Sequence, residues 1–251
     1  MQQKDPTRTK LLRLEYERCL IKLFKTFINH VVPRLKPVIY QEGSKLLSQV
    51  FVGLAVRDFE DIVDEELYYY VETNLYPSVE KYMQQSYRRG INKAVKEINR
   101  GKTSTLPVVT PYLTDLDQQA INLLIDNNVA LVRNVGFDTR KIITHMIVDG
   151  VLKGKSVDVI SREIKKNTLR LTRNRCKMIA RTEIIRSYNQ AAINKYKQSG
   201  IRMYQWVTAF DERTCDLCAG LDGKTFPVDG GERPPLHINC RCTVVPVIKK
   251  S

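Results

Sequence analysis

Between Trp206 and Pro246 the chain reads WVTAFDERTCDLCAGLDGKTFPVDGGERPPLHINCRCTVVP, and no other stretch limits its folding choices as strongly. Four of the six cysteines and one of the three histidines fall here, spaced C-x2-C, eighteen residues, then H-x2-C-x-C. A C-x2-C turn lets the Cys215 and Cys218 thiolates face one point, and Zn2+ takes four S/N ligands tetrahedrally at about 2.0–2.3 Å. Residues two apart on an extended strand face the same side, so Cys240 and Cys242 are expected to converge, with His237 just before them. Five donors compete for four places. Cys215 and Cys218 are expected in the set, with two of His237, Cys240 and Cys242. The expected cofactor is structural Zn2+, since a catalytic zinc keeps an open position and here every place can be filled by Cys or His. The competing pattern is a disulfide framework. The N-terminus MQQKDPTRTK is polar and charged, without the apolar run of a secretory leader, so a reducing compartment is expected and the metal is favoured.

Composition narrows the partners. Lys and Arg total 41 against 27 acids, a formal net charge of +14. Such an excess points to an anionic neighbour, nucleic acid first. Because the positive charge is spread along the chain, an ordinary basic surface or an acidic protein partner fits as well. No run approaches ~18 uninterrupted apolar residues, so no membrane span is expected. At 251 residues the chain is long enough for one or two domains with a real core.

The period of the apolar residues is mostly helical. Residues 1–9 are polar and expected to fray. Leu11, Leu14, Cys19, Leu20, Leu23, Phe27 and Val31 predict an amphipathic helix over Lys10–Val32, ended by Pro33 and Pro37. Val38–Val56 fits a second helix, weakened by Gly43 and Gly53. An acidic stretch from Asp58 to Glu66 precedes Tyr68, Tyr69 and Tyr70. Pro77–Arg100 reads as a helix whose face carries Arg88, Arg89, Lys93 and Lys96 interleaved with Tyr82 and Tyr87. These four cations are candidates for nucleic-acid contact, against the plainer reading of a solvated face over buried tyrosines. Gly101–Pro111 reads as a linker. Further helices are predicted from Thr114 or Asp115 to about Arg133, over Asp138–Lys153, after a Ser156 cap, and from about Thr172 to Gln198. Beyond Gly200 the period changes, and Met203–Thr208, Lys224–Pro227 and Thr243–Ile248 read as strands. The expected fold is mainly α, a helical body with a small C-terminal β-rich zinc-binding lobe, α+β overall. The expected division is 1–110, a variable helical region; 111–200, a helical part; and 201–251, the β/zinc lobe.

Ala180-Arg181-Thr182-Glu183, then Asn189 and Ala191, Gly200, Trp206, Asp211-x-Arg213-Thr214-Cys215-x2-Cys218, Leu221-Asp222-Gly223, Phe226 and Pro234-Pro235-Leu236-His237-x2-Cys240-Arg241-Cys242 occur in this order. Together they resemble the phage head morphogenesis family, the Mu F-like minor head proteins. The resemblance covers about residues 115–248 and is densest over Arg181–Pro246. One departure is Ile238, where the family usually has proline. The resemblance implies a minor capsid protein of a tailed virus, made in the host cytoplasm and carried in few copies in the head interior near the portal vertex. It implies the portal protein as a partner, with scaffold or major capsid protein and packaged double-stranded DNA beside it, and a role in head assembly and DNA packaging or ejection.

Arg181, Thr182, Glu183, Asn189, Trp206, Asp211, Asp222 and Gly223 are expected to be structural. Glu183 offers a general base, but catalysis needs a second group in reach and the spacing identifies none; pairing with Arg186 at i,i+3 is the simpler role. The Arg181–Glu183 segment is expected to pack under the zinc lobe and hydrogen-bond its loops. Asp222-Gly223 reads as a turn. Arg213 and Arg241 stand beside the thiolates, where a guanidinium offsets negative charge. Trp206 is expected to anchor the small sheet. No enzyme is expected. The alternatives are a particle-associated nuclease or toxin-like enzyme and a zinc-dependent DNA-binding module.

Overall fold

The computed structural model describes residues 6–46, 52–101, 108–209 and 214–248. Five long helices come first: α1 (Lys10–Leu46), α2 (Val52–Leu67), α3 (Thr73–Gly101), α4 (Asp115–Leu152) and α5 (Val157–Gln198). A single π-helical stretch, Tyr68–Glu72, joins α2 to α3. Strand β1 (Met203–Val207), the short helix α6 (Asp216–Ala219), β2 (Thr225–Pro227) and β3 (Thr243–Pro246) follow. The fold is therefore mainly α with a small C-terminal sheet, as the period of the sequence predicts.

The helices are fewer and longer than that period suggests. Pro33 and Pro37 lie inside α1 and do not end it. An interior proline costs a helix about 3 kcal/mol by removing a donor and crowding the carbonyl four residues back. Around the two prolines, however, Val31, Val32, Leu35 and Ile39 are all buried. Burying one such side chain is worth about 1.5–3 kcal/mol, so four outweigh the two breaks. The expected break near Gly136 is also absent, because α4 runs through it. The helices predicted after Ser156 and from Thr172 are one helix, α5. Residues 6–9 are not frayed: Thr7 and Thr9 are buried. Their hydroxyls hydrogen-bond to each other at 2.7 Å, and the Thr9 carbonyl accepts the Arg13 N–H at 2.9 Å as α1 begins. The linker read at Gly101–Pro111 falls largely on residues outside the described ones; Val108–Pro111 are irregular.

Helix ends follow side-chain chemistry. Thr114 Oγ1 accepts the Asp117 N–H at 3.2 Å while an Asp117 carboxylate oxygen accepts the Thr114 N–H at 3.0 Å, a reciprocal cap for α4. Ser156 Oγ accepts the Val159 N–H at 3.4 Å at the start of α5. That helix ends at Gly200, with φ of +76°. There the Ile201 N–H reaches the Tyr196 carbonyl and the Gly200 N–H reaches the Lys197 carbonyl, both at 3.0 Å.

The chain forms two compact units. One comprises residues 18–78 and 129–177. Its core includes Leu20, Phe24, Phe27, Phe59, Val63, Val135, Ile143 and Ile164. Its acidic stretch is matched internally: Asp64 pairs with Arg140 at 2.6 Å, and Arg34 bridges Glu65 at 2.7 Å and Glu66 at 2.5 Å. The other unit comprises residues 1–17, 79–128 and 178–251. In it, α3 and α5 lie close enough that a Cβ on Gly90 would stand 2.2 Å from the Tyr188 carbonyl oxygen. Ala94 and Ile98 of α3, Ala192, Ile193 and Tyr196 of α5, and Tyr204, Val228 and Val244 of the sheet region form one apolar cluster. The antiparallel sheet has the order β2-β1-β3. Tyr204 pairs with Phe226 on one side and Pro246 on the other. Alternation along β1 sends Tyr204 and Trp206 inward.

Candidate metal centre

The turn from Cys215 to Cys218 is the start of α6. Cys215 is its N-cap, and its Sγ accepts the Cys218 N–H at 3.5 Å. This brings the two thiols together from positions three apart, on one helical turn. The second cluster arrives from the other side. The Cys240 N–H donates to the His237 carbonyl at 3.2 Å, closing a tight turn. Cys240 and Cys242 are not on a strand as expected, since β3 begins only at Thr243. The turn at His237–Cys240, rather than strand alternation, delivers them.

All five predicted donors line one cavity of about 20 Å3, together with Ala209, Thr214, Asn239 and Arg241. His237 Nε2 lies 3.3 Å from Cys215 Sγ and 3.1 Å from Cys218 Sγ, and Cys218 Sγ lies 3.9 Å from Cys240 Sγ. In a tetrahedron with ligand bonds of about 2.0–2.3 Å, neighbouring donors stand roughly 3.3–3.8 Å apart. The observed separations are close to that edge. The donors form two overlapping groups, Cys215–Cys218–His237 and Cys218–Cys240–Cys242, each with its ligand atoms within 4.8 Å of one another. Cys218 belongs to both. All six cysteines are free, so no disulfide framework forms.

The electrostatics of the cluster favour a cation. Burial pushes the Cys218 thiol up to about 12. Hydrogen bonding to Cys240, then burial, raises Cys242 as well. The contact with Cys242 pulls Cys240 down to about 5, and the Cys218 backbone N–H lowers Cys215. One thiolate thus forms readily at the expense of its neighbours, and full deprotonation of the set requires added positive charge. His237 Nδ1 is 2.9 Å from the Ile238 carbonyl, which raises the imidazole above its ordinary value. A proton on Nδ1 donated to that carbonyl leaves Nε2 as the lone pair facing the sulfurs. Thiolates plus imidazole, with no carboxylate among the donors, suit Zn2+ rather than a hard cation. The residues present therefore fit a structural zinc, which would cross-link α6 to the His237–Cys242 segment.

The supporting residues come from α5. The Asn239 backbone has φ of +65°. Its N–H donates to Thr182 Oγ1 at 3.1 Å, and its side-chain oxygen accepts from Arg181 at 3.3 Å. Buried Asn189 donates through Nδ2 to the Cys242 carbonyl at 3.0 Å and accepts from the Thr243 hydroxyl at 2.8 Å. Glu183 is buried beside Arg186, at 3.1 Å. Burial raises its pKa, partly offset by that arginine. Trp206, fully buried, packs with Cys218, Cys240 and Cys242. Asp222 Oδ1 accepts the Thr208 N–H at 2.7 Å. Gly223, at φ +76°, donates its N–H to the Trp206 carbonyl at 3.0 Å. Asp211 and Arg213 lie outside the described residues. Ile238, at the family's usual proline position, is exposed. Asn239, Thr208 and Thr243 were not singled out from the sequence. Only Asn239 carried a local signal, since Asn tolerates left-handed backbone better than most residues.

The basic candidates separate. Arg88, Arg89 and Lys96 are exposed. Lys93 turns inward: it hydrogen-bonds the Tyr196 hydroxyl at 3.1 Å and the Val244 carbonyl, and pairs with Glu97 at 3.1 Å. It ties α3 to α5 and β3 instead of facing solvent. Tyr82 and Tyr87 are both buried. No described helix is long and apolar enough to cross a membrane.

Comparison with known proteins agrees with the sequence resemblance. Residues 141–245 match the family described as Phage Mu protein F like protein. An uncharacterized protein of Methanocaldococcus jannaschii is 30% identical over 135 residues, which is 53% of this chain and 21% of that protein. An uncharacterized protein of Haemophilus influenzae is 23% identical over 134 residues, 52% of this chain and 30% of that one. The matched region thus covers under a third of either relative's length. No solved structure matches the chain.

Proposed function

We propose that this chain, with its Phage Mu protein F like region at residues 141–245, is a minor head protein of a tailed virus. In this reading it works inside the head near the portal vertex, with the portal protein as its main partner and packaged DNA beside it, during head assembly and DNA packaging or ejection. One observation carries the reading. The residues that give the family resemblance are the ones that build a single structural centre: Thr182 and Asn189 hold the segments that present His237, Cys240 and Cys242. The family signature then describes a cross-linked lobe locked to a helix, which suits a part that must keep its shape in an assembly.

The metal is read as structural zinc, and the chain as non-catalytic. Glu183 pairs with Arg186 along its own helix, its carboxylate buried and the arginine half-exposed, and its role is read as structural. The membership of the particle is tested by quantitative mass spectrometry of purified virions before and after DNA ejection. The expected result is a handful of copies per head, scaling with the portal protein across preparations. Absence from particles that contain portal protein would overturn the reading.

A further inference from the structure

In the unit that carries the metal centre, one face of α3 floors a groove of about 410 Å3. Arg89, Lys96 and Arg100 line it from that helix, and Arg8 lines it from the segment before α1. Arg8 is held there by its backbone. Its φ is 53°, a left-handed value uncommon outside glycine. The neighbours on both sides, Thr7 and Thr9, are buried and hydrogen-bonded to each other, while Arg8 itself is exposed. The chain therefore turns inward on each side of an arginine that it presents outward.

Among the described residues the charge in this groove is unmatched. Its one carboxylate, Glu97, is taken up by Lys93 and by the Tyr196 hydroxyl. Among the described residues no carboxylate pairs with Arg8, Arg89, Lys96 or Arg100. From Arg89 to Arg100 the helix rises roughly 16 Å at about 1.5 Å per residue. A single phosphate would engage one or two of these cations. A nucleic-acid strand presents a phosphate about every 3.4 Å along the duplex axis and so meets the whole row. Guanidinium groups, three of the four cations, bind phosphate oxygens bidentately. The groove's aromatic residue, Tyr188, is buried and offers no stacking platform.

We propose that this groove binds the sugar–phosphate backbone of DNA, without reading its sequence, through Arg8, Arg89, Lys96 and Arg100. All four residues lie outside 141–245, so the argument rests on the groove and not on the family match, and it deepens the head-protein reading by naming where DNA would bind.

The test uses the full metal-loaded chain and fluorescein-labelled 30-base-pair duplexes of two unrelated sequences, followed by anisotropy across a salt series. The triple variant Arg89→Gln/Lys96→Gln/Arg100→Gln, all on α3, is compared with Lys165→Gln/Lys166→Gln/Arg170→Gln, which removes the same charge from exposed positions on a different helix, α5. Circular dichroism melting checks that both remain folded. The expected result is equal binding of both duplexes by the wild type and at least tenfold weaker binding by the groove variant. The slope of log affinity against log salt should fall by about 2–3 for three lost phosphate contacts. The control variant should keep wild-type affinity and slope. Equal weakening by both variants, wild-type binding by the groove variant, or no binding by the wild type at low salt would each overturn the proposal. So would displacement of the probe by polyglutamate as readily as by unlabelled duplex, which would make the groove an acidic-peptide site.

Discussion

At the scale of single residues, the candidate metal centre depends on side chains outside its donor set. Asn189 is fully buried and satisfies two groups at once, the Cys242 carbonyl and the Thr243 hydroxyl. A buried polar group left without a partner costs about 1–3 kcal/mol. Asn189→Ala orphans both, so a loss of about 2–4 kcal/mol is expected in urea unfolding, together with weaker metal retention in a competitive chelator titration. Glu183 makes a different prediction. Its folded pKa is raised, chiefly by burial. An acid with a raised folded pKa binds more protons folded than unfolded, so stability falls as pH rises from the unfolded value through the folded one. Glu183→Gln removes that term. Unfolding of the variant and the wild type between pH 4 and pH 7 should show the variant gaining stability relative to the wild type as pH rises, and a constant difference would refute the assignment. The five donors were legible in the sequence because Cys and His at metal spacing form a local pattern. Asn189's role was legible only through resemblance, and Thr243's was not legible at all, because each depends on a partner more than fifty positions away.

At the scale of elements, helical period identified where helices lie but misjudged where they stop. Proline and glycine are local signals, while the decision to continue a helix is made by burial along its whole length. Pro33 and Pro37 predict an end to the first helix, and the spacing predicts a gap between Arg133 and Asp138; the buried stripe of α1 and the unbroken run of α4 override both. Gly200 and Ser156 were read correctly because caps are satisfied locally, by backbone groups within a turn or two. Gly90 shows the opposite limit. On propensity, Gly90→Ala should stabilise a helix interior by about 1 kcal/mol. In the fold, the added carbon would sit 2.2 Å from the Tyr188 carbonyl oxygen and 2.7 Å from Ala191 Cβ. Backbone and a fully packed alanine have little room to yield, so α3 and α5 must separate. Overpacking of this kind costs about 1–3 kcal/mol, which exceeds the propensity gain at most of that range. A net loss of stability in denaturant titration is the expected outcome. A stabilised variant would mean that the two helices do not approach as closely as described.

At the scale of the whole molecule, the C-terminal lobe has little to hold it besides the proposed metal and its seat on the helices. Its three strands span only five, three and four residues. Its inner cluster consists largely of Trp206 and the cysteines themselves. Cys218, Cys240 and Cys242 are 3%, 1% and 3% exposed, so without a cation the lobe buries thiols that repel one another once ionised. Structural zinc contributes apparent free energies on the order of 10 kcal/mol in small domains, enough to decide whether such a lobe folds. The helices carry their own apolar cores and do not need it. Metal removal is therefore expected to unfold the lobe first and leave the helices standing. The chain provides its own reporter, since Trp206 is its single tryptophan and is fully buried in the lobe. Stripping the metal with a strong chelator should shift tryptophan emission to the red while most of the far-ultraviolet helical signal is retained, and adding back Zn2+ should reverse the shift. Cys218→Ser, which removes the donor common to both ligand groups, should show the shifted emission without chelator and should not respond to zinc. If emission stays blue after the metal is demonstrably gone, packing of the lobe against α5 alone holds it, and the centre is an accessory rather than the keystone of this part of the fold.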